Sequence, residues 1–235
     1  MRSISLRLVL GVILMGVMSI ACQATTTSFG PSEYLQHGDT PSGFICDQCD
    51  LHVEDFEDGM LDAFLTIDNG VIFPPNGTTG TNDPVTDSVD GDDGSVDGSG
   101  LQAYSWFSGL GVRSITVDFA EAVKSAGLVF TDGDSASTMI VLEAFDVGGN
   151  SLGVINAGDL ADGAFNGGTA EDRFMGFVNT DGEIHSLTLS MNAGSGIEID
   201  HIQWQTHAEC VPEPTAAALA FFGLIGLAGI RRRDS

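Results

Sequence analysis

Between residues 25 and 210, apolar and polar side chains alternate with a period of two rather than 3.6. Alternation of this kind predicts β-strands with one buried and one exposed face. Gly and Asp turns separate the segments, and no convincing amphipathic helix is found, although FAEAVKSAG at 119–127 could supply one helical turn. The pattern predicts roughly ten strands, in the segments 52–57, 63–73, 101–108, 113–119, 127–131, 139–145, 151–155, 173–178, 184–191 and 197–204.

Short strands at such regular spacing, with abundant glycine, predict an all-β fold, an antiparallel β-sandwich of jelly-roll type. No tandem repeat of solenoid or propeller length is found. The chain divides into four predicted regions: a signal peptide at 1–24, an N-terminal segment with a C-x-x-C motif at 25–52, the sandwich at 53–210 and a C-terminal segment at 211–235.

The N-terminal residues predict export. Arg2 and Arg7 precede an apolar stretch over 8–20, which is followed by small residues that suit signal peptidase. Cleavage is expected after Ala24 or Ala21. In the second case Cys22 becomes the first residue and a candidate for lipidation.

The C-terminal segment combines an apolar run at 215–230 with the consecutive Arg231, Arg232 and Arg233. The run is near the lower length limit for crossing a bilayer. Clustered arginines stay on the cytoplasmic side, so the preceding chain is expected outside the cytoplasm. A transmembrane helix at 215–230 is therefore predicted.

The same segment resembles a known sorting signal. Val211, Pro212, Glu213 and Pro214, followed by the apolar run and the arginines, are similar to the PEP-CTERM signal of Gram-negative and related bacteria. The resemblance implies that an exosortase recognises the chain and cleaves it near Pro-Glu-Pro. It also implies association with exopolysaccharide, biofilm or the cell surface. It covers only about the last 25 residues and does not say what the rest of the chain binds.

The formal net charge is −25, and Arg113, Lys124 and Arg173 are the only basic residues between the two terminal segments. Binding of nucleic acid is therefore not expected, because phosphate contacts need clustered Lys and Arg. So acidic a chain needs screening or bound cations, although a solvated acidic surface is an alternative.

One acidic stretch has the composition of a calcium site. Asp90, Asp92, Asp93 and Asp97 lie among glycines in the long polar segment 76–100, and calcium takes oxygen ligands. The spacing is not that of an EF-hand. The alternative is a solvated acidic loop without an ion.

Two further acids carry a second resemblance. The segments VEDFEDGMLDAF, which begins at Val53, and IEIDHIQW, which ends at Trp204, resemble the first and last strands of calcium-bound jelly-roll carbohydrate-binding modules. The resemblance implies a structural calcium shared by Glu57 and Asp200, with Asp55 and Asp58 less closely matched. Alternatively, Asp200 faces solvent from an edge strand.

The cysteines Cys46, Cys49 and Cys210 predict a disulfide in an exported protein. A bond from Cys46 or Cys49 to Cys210 would join the two ends of the sandwich. The spacing of Cys46 and Cys49 also suits zinc, but no second C-x-x-C exists.

No motif for hydrolase or phosphate chemistry is found, so no catalytic residue is assigned. Tyr104, Trp106 and Trp204 could form a platform on which a sugar ring stacks, with burial of both tryptophans in the core as the alternative. The sequence thus predicts a non-enzymatic, calcium-stabilised module that binds carbohydrate or exopolysaccharide. The alternatives are a structural acidic surface protein assembled through cations and, less favoured, a glycan or ester hydrolase.

Overall fold

The computed structural model describes residues 25–46, 50–73, 89, 104–133, 139–160 and 171–206. These residues form two antiparallel sheets and one short 3-10 turn at His37–Asp39. The described strands are β1 (Thr26–Glu33), β2 (His52–Glu54), β3 (Leu65–Ile67), β4 (Val71–Phe73), β5 (Ser105–Phe107), β6 (Ser114–Val123), β7 (Ser125–Asp132), β8 (Ile140–Phe145), β9 (Ser151–Gly158), β10 (Arg173–Asn179), β11 (Ile184–Met191) and β12 (Glu198–Gln205).

The larger sheet has the order β1-β10-β7-β12-β5-β4, and the smaller sheet has the order β3-β6-β11-β8-β9. Strand β12 is central in the larger sheet. Its partner on one side is β7, and on the other side it pairs with β5 near Glu198 and with β2 near Trp204. The predicted two-layer, all-β sandwich is confirmed at this level.

The main core lies between the sheets. Alternate residues of β6, β8 and β11 in the smaller sheet meet those of β7, β10 and β12 in the larger one, and the buried set includes Val117, Leu142, Leu189, Leu128 and Trp204. The alternation of apolar and polar residues in the sequence follows from this burial of one face per strand.

A second, smaller core covers the outer face of the larger sheet. Tyr34 and Phe44, from the segment after β1, pack there on Val129 and Phe174 together with Val89. At Gly176 a side-chain Cβ would lie 2.8 Å from the ring of Phe44. The glycine therefore leaves the space in which this segment docks.

Several strand predictions are corrected by the structure. Strand β1, which pairs with β10, was not predicted, and it makes residues 26–33 part of the sandwich rather than of a separate segment at 25–52. The predicted helical turn at 119–127 is wrong, because β6 continues to Val123 and β7 begins at Ser125. The predicted strand 63–73 is two strands, because Asn69 and Gly70 have positive φ and turn the chain between them.

No helix among the described residues is long and apolar enough to cross a membrane. The predicted helix at 215–230 and the signal peptide at 1–24 lie outside the described residues.

Candidate functional site

A cavity lies at the end of the sandwich where β2 pairs with β12. His52 and Trp204 are directly opposite each other in this pairing. Their rings are therefore stacked, with centroids 5.3 Å apart and 15° between the planes. Side chains opposite each other in antiparallel strands share one face of the sheet, which explains the stacking.

The smaller sheet contributes the next ring. Phe64, just before β3, lies parallel to Trp204 with centroids 5.6 Å apart and 2° between the planes. The cavity beside these rings has a volume of about 180 Å³ and is lined by His52, Asp62, Phe64, Trp204 and Thr206. It therefore combines aromatic walls with side chains that can form hydrogen bonds.

Glu54 fixes the loop that carries two of these residues. Its Oε1 accepts a hydrogen bond from the N–H of Phe56 at 2.7 Å, and its Oε2 accepts one from the N–H of Asp62. Asp62 Oδ1 in turn accepts a hydrogen bond from the N–H of Phe64 at 2.8 Å. Burial raises the pKa of Glu54, and the two backbone donors oppose that shift. Glu54 thus closes the loop and positions Asp62 and Phe64.

A larger groove of about 820 Å³ follows the same loop. Its surface mixes carboxylates with apolar side chains, among them Met60, which is 65% exposed. Asp62 lines both the groove and the smaller cavity, so the two adjoin. The groove residues are Val53, Glu54, Asp55, Glu57, Asp58, Met60, Leu61, Asp62 and Ala63.

Asp200 lies on the outer face of the larger sheet, the face turned away from the main core, and is fully buried. Its Oδ2 accepts a hydrogen bond from the N–H of Val89 at 2.9 Å, and its Oδ1 accepts one from the N–H of His201 at 2.7 Å. Burial raises the pKa of Asp200 well above its ordinary value, and the charge of Glu57 adds to the rise. The interpretation of Asp200 as a solvent-facing residue of an edge strand is therefore wrong. Glu57 lies near enough for its charge to add to that rise, and the calcium ion expected between the two residues stays a prediction.

A buried polar network surrounds His201, which has a φ of +40° at an irregularity in the pairing of β12 with β7. Its Nδ1 lies 2.9 Å from the hydroxyl of Tyr34, which also accepts a hydrogen bond from Nε2 of Gln203 at 2.8 Å. Burial lowers the pKa of His201 to about 4, so the ring is neutral at pH 7. These contacts hold the segment after β1 on the sheet, and they give His201 a structural role.

The predicted aromatic platform is not an exposed surface. Trp106 is 7% exposed and donates a hydrogen bond from Nε1 to the carbonyl of Asn69 at 3.2 Å. Trp204 is 2% exposed and belongs to the main core. Tyr104 is half-buried, and its N–H donates to Oε1 of Glu57 at 3.0 Å. Stacking of a sugar on the two tryptophan faces is therefore corrected to burial of both rings in the core.

Sequence reasoning missed several buried carboxylates at one end of the larger sheet. Asp132 and Glu198 are opposite each other in the pairing of β7 with β12, and the hydroxyl of Ser105 donates to Glu198. Glu171 and Asp172 precede β10 and are also buried. The spacing I-E-I-D puts Glu198 and Asp200 on one face of a strand. This is the signal that could have revealed Glu198. Among the described residues, no group of three His, Cys, Asp or Glu side chains could hold a metal ion.

The remaining predicted residues fall partly outside the described part of the chain. This holds for Asp90, Asp92, Asp93 and Asp97, for Cys22, Cys49 and Cys210, and for the whole sorting segment with Glu213 and the three arginines. Cys46 is described. Its N–H donates to Oε1 of Gln205 at 2.8 Å, and Nζ of Lys124 lies 3.6 Å from its Sγ. Cys46 thus lies beside the end of β12, and the disulfide stays a prediction.

Comparison with known proteins adds little. No protein-family model matches the chain, and no curated protein matches it significantly. Among solved structures, it is similar to the native structure of a family 35 carbohydrate binding module from Clostridium thermocellum, with 13% identity and a TM-score of 0.35. The match covers 67% of this chain and 98% of that chain. A likeness at this level supports no inference about function.

Proposed function

We propose that this protein is an exported, non-enzymatic module that binds extracellular polysaccharide. The observation that carries the proposal is the pair of adjoining concave surfaces, the groove and the aromatic cavity, which are both lined by Asp62. Ligand sites are typically concave and apolar with a few placed polar groups. We also propose that the sandwich is of the jelly-roll type.

The chemistry of the groove suits sugars. A sugar ring has apolar C–H faces and a rim of hydroxyl groups. Met60 and Leu61 offer apolar contact, and the carboxylates of Asp55 and Asp58 accept hydrogen bonds from hydroxyl groups. Oδ1 of each aspartate already accepts a backbone N–H two residues further on, at 3.1 Å and 2.8 Å, which orients the carboxylate.

The same contacts favour binding over hydrolysis. Glycoside hydrolysis needs an acid with a raised pKa and a second carboxylate across a cleft. Glu54, a groove carboxylate whose pKa is raised by burial, accepts hydrogen bonds from two backbone N–H groups that hold the loop closed. It is therefore engaged in the fold, and a hydrolase remains the less favoured alternative.

Calcium is the second part of the proposal. Val89 donates its N–H to the buried Asp200, and Asp90 follows directly in the chain. The acidic residues Asp90, Asp92, Asp93 and Asp97, which we propose as further calcium ligands, therefore follow in the sequence a residue that contacts Asp200. A bound calcium ion would neutralise a carboxylate whose charge is unfavourable in this buried position.

Sorting completes the proposal. The segment from Val211 to Arg233 would direct the exported chain to an exosortase, with the helix at 215–230 as a transient anchor in the inner membrane and the cell surface or extracellular matrix as destination. Glu213→Ala should then leave an uncleaved precursor in the membrane fraction of the producing cells. Normal processing of that variant would refute the sorting proposal.

Affinity electrophoresis tests the binding function. The purified protein is run through gels that contain the exopolysaccharide of the producing organism, once with calcium and once with chelator. Retardation in the polysaccharide gel is expected, and it should be stronger with calcium. Equal mobility with and without polysaccharide in both conditions, for a protein shown to be folded, contradicts the proposal.

The same sample tests the alternative of an acidic structural protein. That alternative gains from the exposed carboxylates of the groove loop, which cations could crosslink. It predicts assembly into larger species with rising calcium but no selectivity among glycans. Sedimentation velocity at several calcium concentrations separates the two, because the binding module is expected to change its sedimentation only when polysaccharide is present.

A further inference from the structure

We propose that the cavity beside Trp204 binds a single pyranose ring that carries no acidic group. The inference rests on the proposed polysaccharide-binding function and names the unit that the site selects. It moves the aromatic contact from the buried tryptophan faces to the rings of Phe64 and His52, which stack on Trp204.

The volume of the cavity is comparable to the space that one six-membered ring needs. The cavity of about 180 Å³ is only slightly larger than the roughly 150 Å³ that accommodates benzene in an engineered cavity. It is smaller than the roughly 300 Å³ at which sites for drug-sized ligands begin. One six-membered ring is therefore the unit that fits, and the adjoining groove provides room for the neighbouring sugars of a chain.

The cavity wall has hydrogen-bonding capacity that the fold does not use. Within the described part of the chain, the Nε1–H of Trp204 donates to no acceptor, although this side chain is 2% exposed. His52 and Thr206 likewise make no hydrogen bond with the described residues. Asp62 uses Oδ1 for the N–H of Phe64, which leaves Oδ2 for a ligand. Trp106, by contrast, donates its Nε1–H to Asn69.

These groups match the two kinds of surface on a sugar. The half-buried ring of Phe64 offers an apolar face to the C–H groups. The indole N–H donates to a hydroxyl oxygen, while the Asp62 carboxylate accepts from hydroxyl groups.

Charge decides which sugars are accepted. The cavity is lined by a carboxylate and by no Lys or Arg among the described residues. The whole chain has a formal net charge of −25. A uronic acid would meet a like charge in this site, whereas a neutral or amino sugar would not.

Tryptophan fluorescence of the purified protein provides the test. The probes are the methyl pyranosides of glucose, galactose, mannose, N-acetylglucosamine and glucosamine, with methyl glucuronide as the acidic member. At least one neutral or amino glycoside is expected to change the emission saturably, and the glucuronide is expected to bind at least tenfold more weakly. Silence with every glycoside, or equal binding of the glucuronide, overturns the inference.

Two variants and one control locate the response. Asp62→Asn keeps the Oδ1 acceptor for Phe64 and removes the charge, and it should weaken binding of the best glycoside at least fivefold. Asp118→Asn, an equally conservative change on the exposed face of β6, should leave binding unchanged. Trp204→Phe keeps an aromatic ring without the N–H and should weaken binding of the polysaccharide in affinity gels.

The outcomes separate this inference from the proposed function. If the polysaccharide retards wild type, Asp62→Asn and Trp204→Phe equally, the binding function stands and the cavity assignment is wrong. If the polysaccharide does not retard wild type and no glycoside binds, both proposals are wrong.

Discussion

Phe64, just before β3 of the smaller sheet, and Trp204 of the larger sheet lie face to face, with 2° between their ring planes and 5.6 Å between their centroids. This contact joins the two sheets at the end of the sandwich where β2, a strand of only three residues, pairs with β12. It also forms a wall of the cavity. Stability and binding at this end of the sandwich therefore depend on the same pair of rings.

Phe64→Leu tests this contact. Leucine keeps most of the apolar burial but removes the stacking, so the free energy of unfolding should fall by about 1 kcal/mol. Urea unfolding followed by circular dichroism measures the change. Phe107→Leu, which removes a tilted ring pair at the β4 edge, is the matched control for stability, and it should leave glycoside binding intact. A Phe64→Leu variant with wild-type stability and wild-type binding would contradict the role of the stack.

Glu54→Ala should open the loop at 55–62. Two backbone N–H groups lose their acceptor, and the expected loss of stability is about 2–4 kcal/mol. Glu54→Gln keeps one carbonyl acceptor and should lose about half as much. Glu143→Gln, at a half-buried position of β8, should change stability by less than about 0.5 kcal/mol.

The order of the stability losses in these three variants is the diagnostic result. Equal stability of Glu54→Ala and Glu143→Gln would show that Glu54 does not hold the loop. Hydrogen exchange at the amides of Phe56 and Asp62 should accelerate selectively in Glu54→Ala, because these are the two donors that lose their acceptor.

The buried Tyr34 should make the protein sensitive to alkaline pH. Burial raises the pKa of Tyr34 above its ordinary value of 10. The folded state therefore holds this proton more tightly than the unfolded state does. Its contribution to stability is complete below pH 10 and is lost as the pH rises through and above 10.

A Tyr104→Phe variant leaves Tyr34 as the only tyrosine of the chain, so absorbance at 295 nm reports on it alone. Its ionisation should coincide with loss of the folded circular dichroism signal rather than precede it. Ionisation near pH 10 in a protein that stays folded would contradict the burial and the contact with His201.

Asp200→Asn tests the calcium proposal. Saturating calcium should raise the melting temperature of wild type, because about 100-fold excess over the dissociation constant contributes about 2.7 kcal/mol. Asp200→Asn should lose this rise, whereas Asp118→Asn should retain it. A full calcium response in Asp200→Asn would show that the ion binds elsewhere.

The sequence was informative where one face of a strand is buried along its length. The segments 113–119, 139–145 and 184–191 overlap β6, β8 and β11, in which buried residues recur at about every second position. Strand β1 lacks this alternation, because it lies at the edge of the larger sheet, where it pairs with β10 and most of its residues are exposed. Local pattern could not reveal it.

The site was less accessible to sequence reasoning. The pair Glu57 and Asp200 was named from a resemblance, but the burial of Asp200 depends on the docking of residues 34–46 and of Val89 on the outer face. The cavity depends on a contact between Phe64 and Trp204, which are far apart in the chain. No period within either segment encodes that contact.

The two indole N–H signals in a proton–nitrogen correlation spectrum provide the most direct measurement of the central claim. The chain has only two tryptophans, and Trp106→Phe assigns their signals. On titration with oligosaccharide from the native exopolysaccharide, the account predicts a saturable shift of the Trp204 signal and a nearly stationary Trp106 signal. A stationary Trp204 signal under saturating oligosaccharide, or a shift confined to Trp106, would contradict it.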